Sequence, residues 1–471
     1  MEQTFSDSSA ALSAAEVEAD RGLHRSLGTG QLSMIAIGGA IGTGLFLGSA
    51  FAIGFAGPAV LVSYAIGAVV TLLLMGALAE MTVVLPASGS FGLHAERFVG
   101  PMAGFLVRYA YFSCLVLAIG TEVTAIAIYM GYWFPGVPGV YWILGFAAAL
   151  VAVNAFSVRV FGSIEYVFSM IKIVAIVGFI LLGAWLIAAA EPGSPVGFSN
   201  YVSDGGFLPN GIGGMWVAVI IAIFSYFSVE MIAVAAGEAE EPERAIRSAF
   251  KATVFRLVLF YLLTLAVMLA IVPWREAGAG GSPFVTVMAA TGITGAAGII
   301  NFVILIAALS AMNSQIYGAT RMLFSLSRAG FAPEALGRVS ERGVPLAALA
   351  LSTVGIGLAA IVYAWRPETA FTFMISIAIF GALFTWLMIF VTHIHFRRRH
   401  LEGAAAFRMW GAPWTSAAGA LLVVAILVTT LFTDEFRMTL VYGLPLLALL
   451  SGLYAWRYGL GDSSNPVGDG E

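Results

Sequence analysis

Apolar runs of about twenty residues alternate along this chain with short polar links. Twelve can be marked, at about 32–52, 58–78, 101–130, 138–156, 165–189, 213–235, 248–272, 295–320, 345–364, 369–393, 415–433 and 438–456. At 1.5 Å per residue, a helical run of this length crosses the roughly 30 Å hydrocarbon core of a bilayer. The pattern predicts an all-α polytopic membrane protein with twelve transmembrane helices and, since the links are short, no inserted soluble domain. Pro58, Pro101, Pro138 and Pro345 stand at or near the first turn of a run, where a missing N–H is tolerated. Three segments follow: a flexible N-terminus (1–31), one membrane domain (32–456) and a C-terminal tail (457–471).

Composition agrees. Apolar residues make up 60% of the chain and charged residues 10%, against about 25% charged in soluble domains. Charge placement supplies the orientation. With the N-terminus inside, 18 of the 22 lysines and arginines fall in inner links; Arg275, Arg366 and Arg437 face outward, and Lys172 lies within a run. The positive-inside rule asks for this asymmetry, so both termini are predicted to be cytoplasmic and the protein to sit in the cell (inner or plasma) membrane. The acidic N-terminus has no apolar core of a signal peptide. A lone Cys114 permits no internal disulfide and no cysteine metal cluster. No metal-ligand spacing or Ser/His/Asp set is present, so no enzyme, metal or cofactor is expected. GGAIGTG lies in an apolar run with no strand before it, which argues against a nucleotide loop; HIHFRRRH (393–400) reads as an interfacial basic anchor.

The candidate chemistry begins in the first run, IAIGGAIGTGLFLG, with glycines at 38, 39, 42, 44 and 48. Glycine in a helix interior costs about 0.5–1 kcal/mol relative to alanine. Two readings stay open. The spacings Gly38–Gly42 and Gly44–Gly48 suit close helix packing. An unwound helix would instead expose peptide groups, which survive in a bilayer only where they line a cavity or are buried in protein, and exposed amides at a half-helix N-terminus favour an anion. The sixth run is interrupted by Phe224-Ser225-Tyr226-Phe227-Ser228, with Glu230 a turn beyond. Two interrupted helices at matching positions of an inverted repeat point to a transport site. Glu122, Lys172 and Glu230 are ionisable residues inside apolar runs, which makes each a functional candidate and a possible proton carrier. Glu122 is also readable as a hydrogen bonder in the bundle interior. Glu165 precedes Lys172 by seven residues, about 10.5 Å along a helix, and is expected to be too distant to be its partner.

These stretches resemble amino acid permeases of the amino acid–polyamine–organocation (APC) superfamily, bacterial amino acid transporter branch. The resemblance covers about residues 22–457. Its specific stretches are LHRSLGTGQLSMIAIGGAIGTGLFLGS, GPAVLVSYAIG, LAEMTVVLPASGSF, FGSIEYVFSMIKIVAI, FSYFSVEMIAVAAGEAEEPERAI and SAMNSQIYGATRMLFSLSRAGFAPEAL. It implies a leucine-transporter-type fold, a 5+5 inverted repeat plus two C-terminal helices, with helices 1 and 6 interrupted. It further implies that Gly42, Thr43 and Gly44 offer donors to the substrate carboxylate. Ala40, Phe224, Ser225 and Phe227 would present carbonyls to the α-ammonium, with the Phe224 ring as a lid. Lys172 matches a lysine that takes the place of a sodium ion near Asn313 and Ser314, which points to proton coupling, and Glu230 matches the acidic residue of span six. Ser228 stands where many relatives have glycine, which bears on how far that span unwinds. The expected function is import of an α-amino acid, leaning to neutral ones, together with a proton. An exchanger and a non-transporting amino acid-sensing receptor are the alternatives. Amino acid, proton and lipid are the expected partners; nucleic acid is not, and the sequence does not specify an oligomeric state.

Overall fold

The structure is a computed structural model that describes residues 41–85, 90–156, 158–191, 193–230, 253, 255, 257–399 and 407–459. Ala40, the EAEEPERAI stretch and both chain ends lie outside these residues. Among them every regular element is helical. A π-helical turn, Gly44–Gly48, runs directly into α1 (Ser49–Ala56), and a 3₁₀ turn at Gly57–Ala59 leads to α2 (Val60–Val84). The short α3 (Ser90–Phe98) precedes α4 (Pro101–Gly131), α5 (Gly139–Phe156) and α6 (Val158–Ala188). Next come α7 (Gly211–Tyr226) and α8 (Thr264–Ile271), the latter extended upstream by a π-helical stretch, Leu257–Leu263. Two short helices, α9 (Trp274–Ala277) and α10 (Pro283–Ala290), lead to α11 (Ala296–Arg328). The remainder is α12 (Leu346–Ser352), α13 (Val354–Trp365), α14 (Pro367–Arg399), α15 (Trp414–Thr429) and α16 (Met438–Tyr458).

Nine helical stretches among the described residues are long and apolar enough to cross a bilayer, and α7 and the helix ending at Ile271 are shorter apolar ones. Helix ends differ from the apolar runs where charge continues a helix past the hydrocarbon: α14 extends through Arg397 and Arg398, whose run closes at about 393.

Burial sorts the helices into two tiers. About four-fifths of the apolar stretch of α4, α11 and α14 is buried by protein, against 22% for α5 and α16. The outer helices instead turn large side chains such as Leu181, Trp185, Leu421 and Leu449 outward, as lipid allows. The inner helices carry small residues where neighbours approach: a Cβ on Gly381 of α14 would meet Cys114 of α4 at 2.7 Å. Helix α7 packs on α1 and α2, and α14 packs on α2 and α7, so the interrupted segments of spans one and six adjoin one another beside the inner helices. On α3, His94 hydrogen-bonds the Leu85 carbonyl at 3.0 Å, and burial pushes its imidazole down to about 4, so the ring is neutral at physiological pH.

Candidate substrate and coupling site

Both readings of the first glycine cluster turn out to be needed. Ile41 has no helical assignment, Gly42 is a bend, and the π turn begins at Gly44. A π turn leaves carbonyls without their usual helical partners. One of them, Phe46 O, is taken at 2.7 Å by the Ser282 hydroxyl at the start of α10. Close packing explains which positions are glycine. A Cβ on Gly44 would lie 2.7 Å from Ser225 Cα, and one on Gly42 would lie 2.8 Å from Ala311 Cβ and 3.0 Å from Glu122 Oε1. The bent segment of span one is thus wedged between the break in span six, α4 and α11.

Span six breaks where the Phe-Ser run placed it. Helix α7 stops at Tyr226, Phe227 is extended with ψ 151°, and Ser228 takes φ +72°. Left-handed torsions cost a non-glycine residue about 1–2 kcal/mol, so the serine does not prevent the break but bears strain within it. Tyrosines brace the break. Tyr64 hydroxyl shares a 3.0 Å hydrogen bond with Ser225 Oγ, Tyr261 hydroxyl donates to Ser225 O at 2.8 Å, and Tyr226 hydroxyl donates to Tyr64 O at 2.9 Å. Phe224 and Phe227 are both buried, and the Phe227 ring packs on Tyr111.

Ser228→Gly should relieve about 1 kcal/mol of torsional strain and Ser228→Val should add to it. Thermal unfolding in detergent is expected to rank glycine at or above wild type and valine below both. Valine equal to glycine would show that the torsion carries no strain.

The ionisable candidates fall into two groups. Lys172 is fully buried on α6; its Nζ donates to Ile41 O at 3.1 Å and to Ser310 Oγ at 2.7 Å. Glu165 is buried beside it, with Oε1 4.0 Å from Nζ. That overturns the expectation that seven residues put Glu165 out of reach. Residues i and i+7 share a helix face, and the lysine stem points back toward the helix N-terminus, which closes the axial gap. Ser310 bridges the pair by donating a short hydrogen bond to Glu165 Oε1. Asn313 Nδ2 reaches Glu165 Oε2 at 3.5 Å, so Asn313 joins this group. Ser314 faces elsewhere: its Oγ is buried without a partner among the described residues.

Glu230 belongs to the second group, accepting from Tyr111 hydroxyl at 2.8 Å and Trp386 Nε1 at 3.2 Å. These partners lie on α4 and α14, the most tightly packed helices. Glu122 stands between the groups, at the bend of span one. Gln315 Nε2 donates to its Oε1 at 3.4 Å, and it interacts electrostatically with Lys172. Thr43 Oγ1, Glu122 Oε2, Gln315 Oε1 and Tyr129 hydroxyl are buried without a hydrogen bond of good geometry among the described residues. A polar atom left so costs about 1–3 kcal/mol, so these groups form a strained polar cluster around the Glu122 carboxyl at the bend of span one.

The amino acid permease family model matches residues 31–454. The chain belongs to the amino acid permease family. Among relatives of this permease, one in Bacillus subtilis, named uncharacterized amino acid permease YtnA, is 37% identical over 93% of this chain and 95% of its own. A probable threonine/serine transporter, YbxG, from the same organism is 36% identical over 94% and 96%. The aromatic amino acid transport protein AroP of Escherichia coli O6:H1 is 36% identical over 92% and 95%. These are names of permeases and transporters, in keeping with a chain that carries no enzyme signature, and the permease is a multi-pass membrane protein.

Reasoning from sequence missed Glu165, Ser310, Gln315, Tyr64 and Tyr261. The first two had a signal: Glu165, Ser169 and Lys172 recur at helical spacing on one face, and LSAMNSQ is a polar streak inside an apolar run. The tyrosines had none.

Proposed function

We propose that this permease imports a neutral α-amino acid together with a proton, by alternating access around a midplane site. The underlying arrangement is twelve helices in a 5+5 inverted repeat plus two, with both termini cytoplasmic in the plasma membrane. The observation that carries the reading is the contact between two interrupted helices, with Gly44 lying against Ser225 so closely that no side chain fits between them.

In this reading the amides around Gly42, Thr43 and Gly44 take the substrate carboxylate, as half-helix N-termini do for anions. Ala40 and the broken turn Phe224–Phe227 offer carbonyls to the ammonium, and Phe224 covers it. Proton rather than sodium coupling is supported by the Lys172 ammonium, bonded to the span-one carbonyl of Ile41, because a fixed cation there repels a second one. A neutral substrate fits the aromatic surroundings of Phe224 and Phe227, and Glu122 carries the preference for which side chains enter.

Purified permease in proteoliposomes should accumulate a ¹⁴C-labelled mixture of the protein amino acids when the outside is made acidic, with or without sodium. Uptake that needs sodium would reject the coupling. Uptake that appears only after preloading with amino acid would identify an exchanger, and binding without flux a receptor.

A further inference from the structure

A chain of polar contacts leads from the span-one break along one face of α6 to α5. It starts at Ile41 O, which accepts from Lys172 Nζ. Ser310 Oγ then accepts from Nζ and donates to Glu165 Oε1. On the far side of the carboxylate, Asn313 Nδ2 contacts Oε2, and Asn313 Oδ1 accepts from Asn154 Nδ2 at 2.8 Å. Asn154, half-buried near the end of α5, lines a cleft with Phe161, Tyr317, Arg321 and Pro345. Arg321, in the last turns of α11, and Pro345, capping α12, stand at the helix ends that the charge asymmetry assigns to the inside. Ser310, Glu165, Asn313 and Asn154 therefore stand in series between the Lys172 ammonium and this cleft.

Resting on the proton-coupled reading above, we infer that Glu165 is the residue through which the coupled proton leaves Lys172 for the cytoplasm. The step is a relay. The ammonium N–H breaks as Ser310 Oγ takes that proton, while the Ser310 O–H breaks and its proton forms an O–H bond on Glu165 Oε1. The products are a neutral amine and a neutral carboxylic acid. The acid then gives its proton to a water that enters past Asn313 and Asn154 when this side opens, leaving the carboxylate, and the amine is recharged by the next proton from outside.

The charge pattern suits this. An ion pair and its neutral, proton-shifted form both have zero net charge, so the transfer moves no net charge into the low-dielectric interior. Among the described residues, α4 contributes Glu122, α11 contributes Ser310 and Asn313, and α5 contributes Asn154 around the pair. Glu122 lies on the substrate side of the pair and interacts electrostatically with Lys172. The two asparagines hold Oε2 toward the cleft; as amides they position the acid rather than carry its proton.

Full-length permease in proteoliposomes tests this with the ¹⁴C amino acid mixture in two assays, acid-driven accumulation and counterflow between preloaded and external substrate. In Glu165→Gln, accumulation is expected to fall about ten-fold or more with counterflow within about two-fold of wild type, a size typical of coupling free energies. Glu165→Asp should restore most of the accumulation with a shifted pH profile. Ser310→Ala, which keeps every charge, should give the same split as Glu165→Gln in milder form. Wild type that ignores the proton gradient overturns the coupled reading itself. Wild type that responds, with Glu165→Gln accumulating equally well, overturns the relay alone. Loss of counterflow along with accumulation in both Glu165→Gln and Ser310→Ala also overturns it, by assigning the cluster to structure.

Discussion

Lys172→Ala should abolish gradient-driven accumulation. The ammonium is fully buried, bonded to Ile41 O and Ser310 Oγ and 4.0 Å from Glu165. Removing it deletes the titrating cation and unties span one from α6. It also leaves a buried carboxylate without its counter-charge, a loss of about 3–5 kcal/mol when one partner of a buried pair is removed. A double variant separates these effects. Lys172→Gln combined with Glu165→Gln removes both charges, so thermal stability in detergent is expected to recover much of the loss while accumulation stays absent. Proteoliposome uptake under an inward proton gradient gives the decisive comparison: accumulation by Lys172→Ala at the wild-type level would remove this lysine from the coupling machinery.

Gly44→Ala is expected to be almost as damaging, for a steric reason. The added methyl would lie 2.7 Å from Ser225 Cα and 3.1 Å from Ser225 N, both backbone atoms. Side chains can rotate away from a methyl group, but backbone cannot, so the interrupted segments of spans one and six must separate. Overpacking of this kind costs about 1–3 kcal/mol, and here the displaced atoms are those proposed to hold the substrate. Gly48→Ala is the control. Its Cβ would meet the Ile221 Cγ2 methyl at 3.2 Å, the end of a side chain able to shift. Substrate-induced thermal stabilisation and uptake should vanish in the first variant and survive in the second. Equal uptake by both would show that the close approach at Gly44 does not matter for transport.

The membrane architecture was legible because a bilayer imposes one length on every crossing segment: the run 101–130 matches α4 closely, and 295–320 marks the start of α11, which continues to Arg328. The two breaks were legible because glycine clusters and paired serines are costly in lipid and so stand out. The pairing of Glu165 with Lys172 was hidden by treating separation along the helix as separation in space, which ignores the direction and length of the lysine stem. Tyr64 and Tyr261 were hidden for another reason. An aromatic residue in an apolar helix looks like packing, and only the fold reveals that its hydroxyl meets a broken turn. The short α9 and α10 span too few residues for any periodicity to register.

Ser282 and Phe284 give the connection between α8 and α11 a mechanical role. The hydroxyl of Ser282 grips Phe46 O in the π turn, and the Phe284 ring lies between Phe46 and Phe179 of α6, with centroids 4.7 and 4.8 Å away. Any tilt of the first span must therefore drag α10 along, which makes that little helix a pointer on the dial: a fluorophore fixed to its rim would report whether span one tilts as cargo is added.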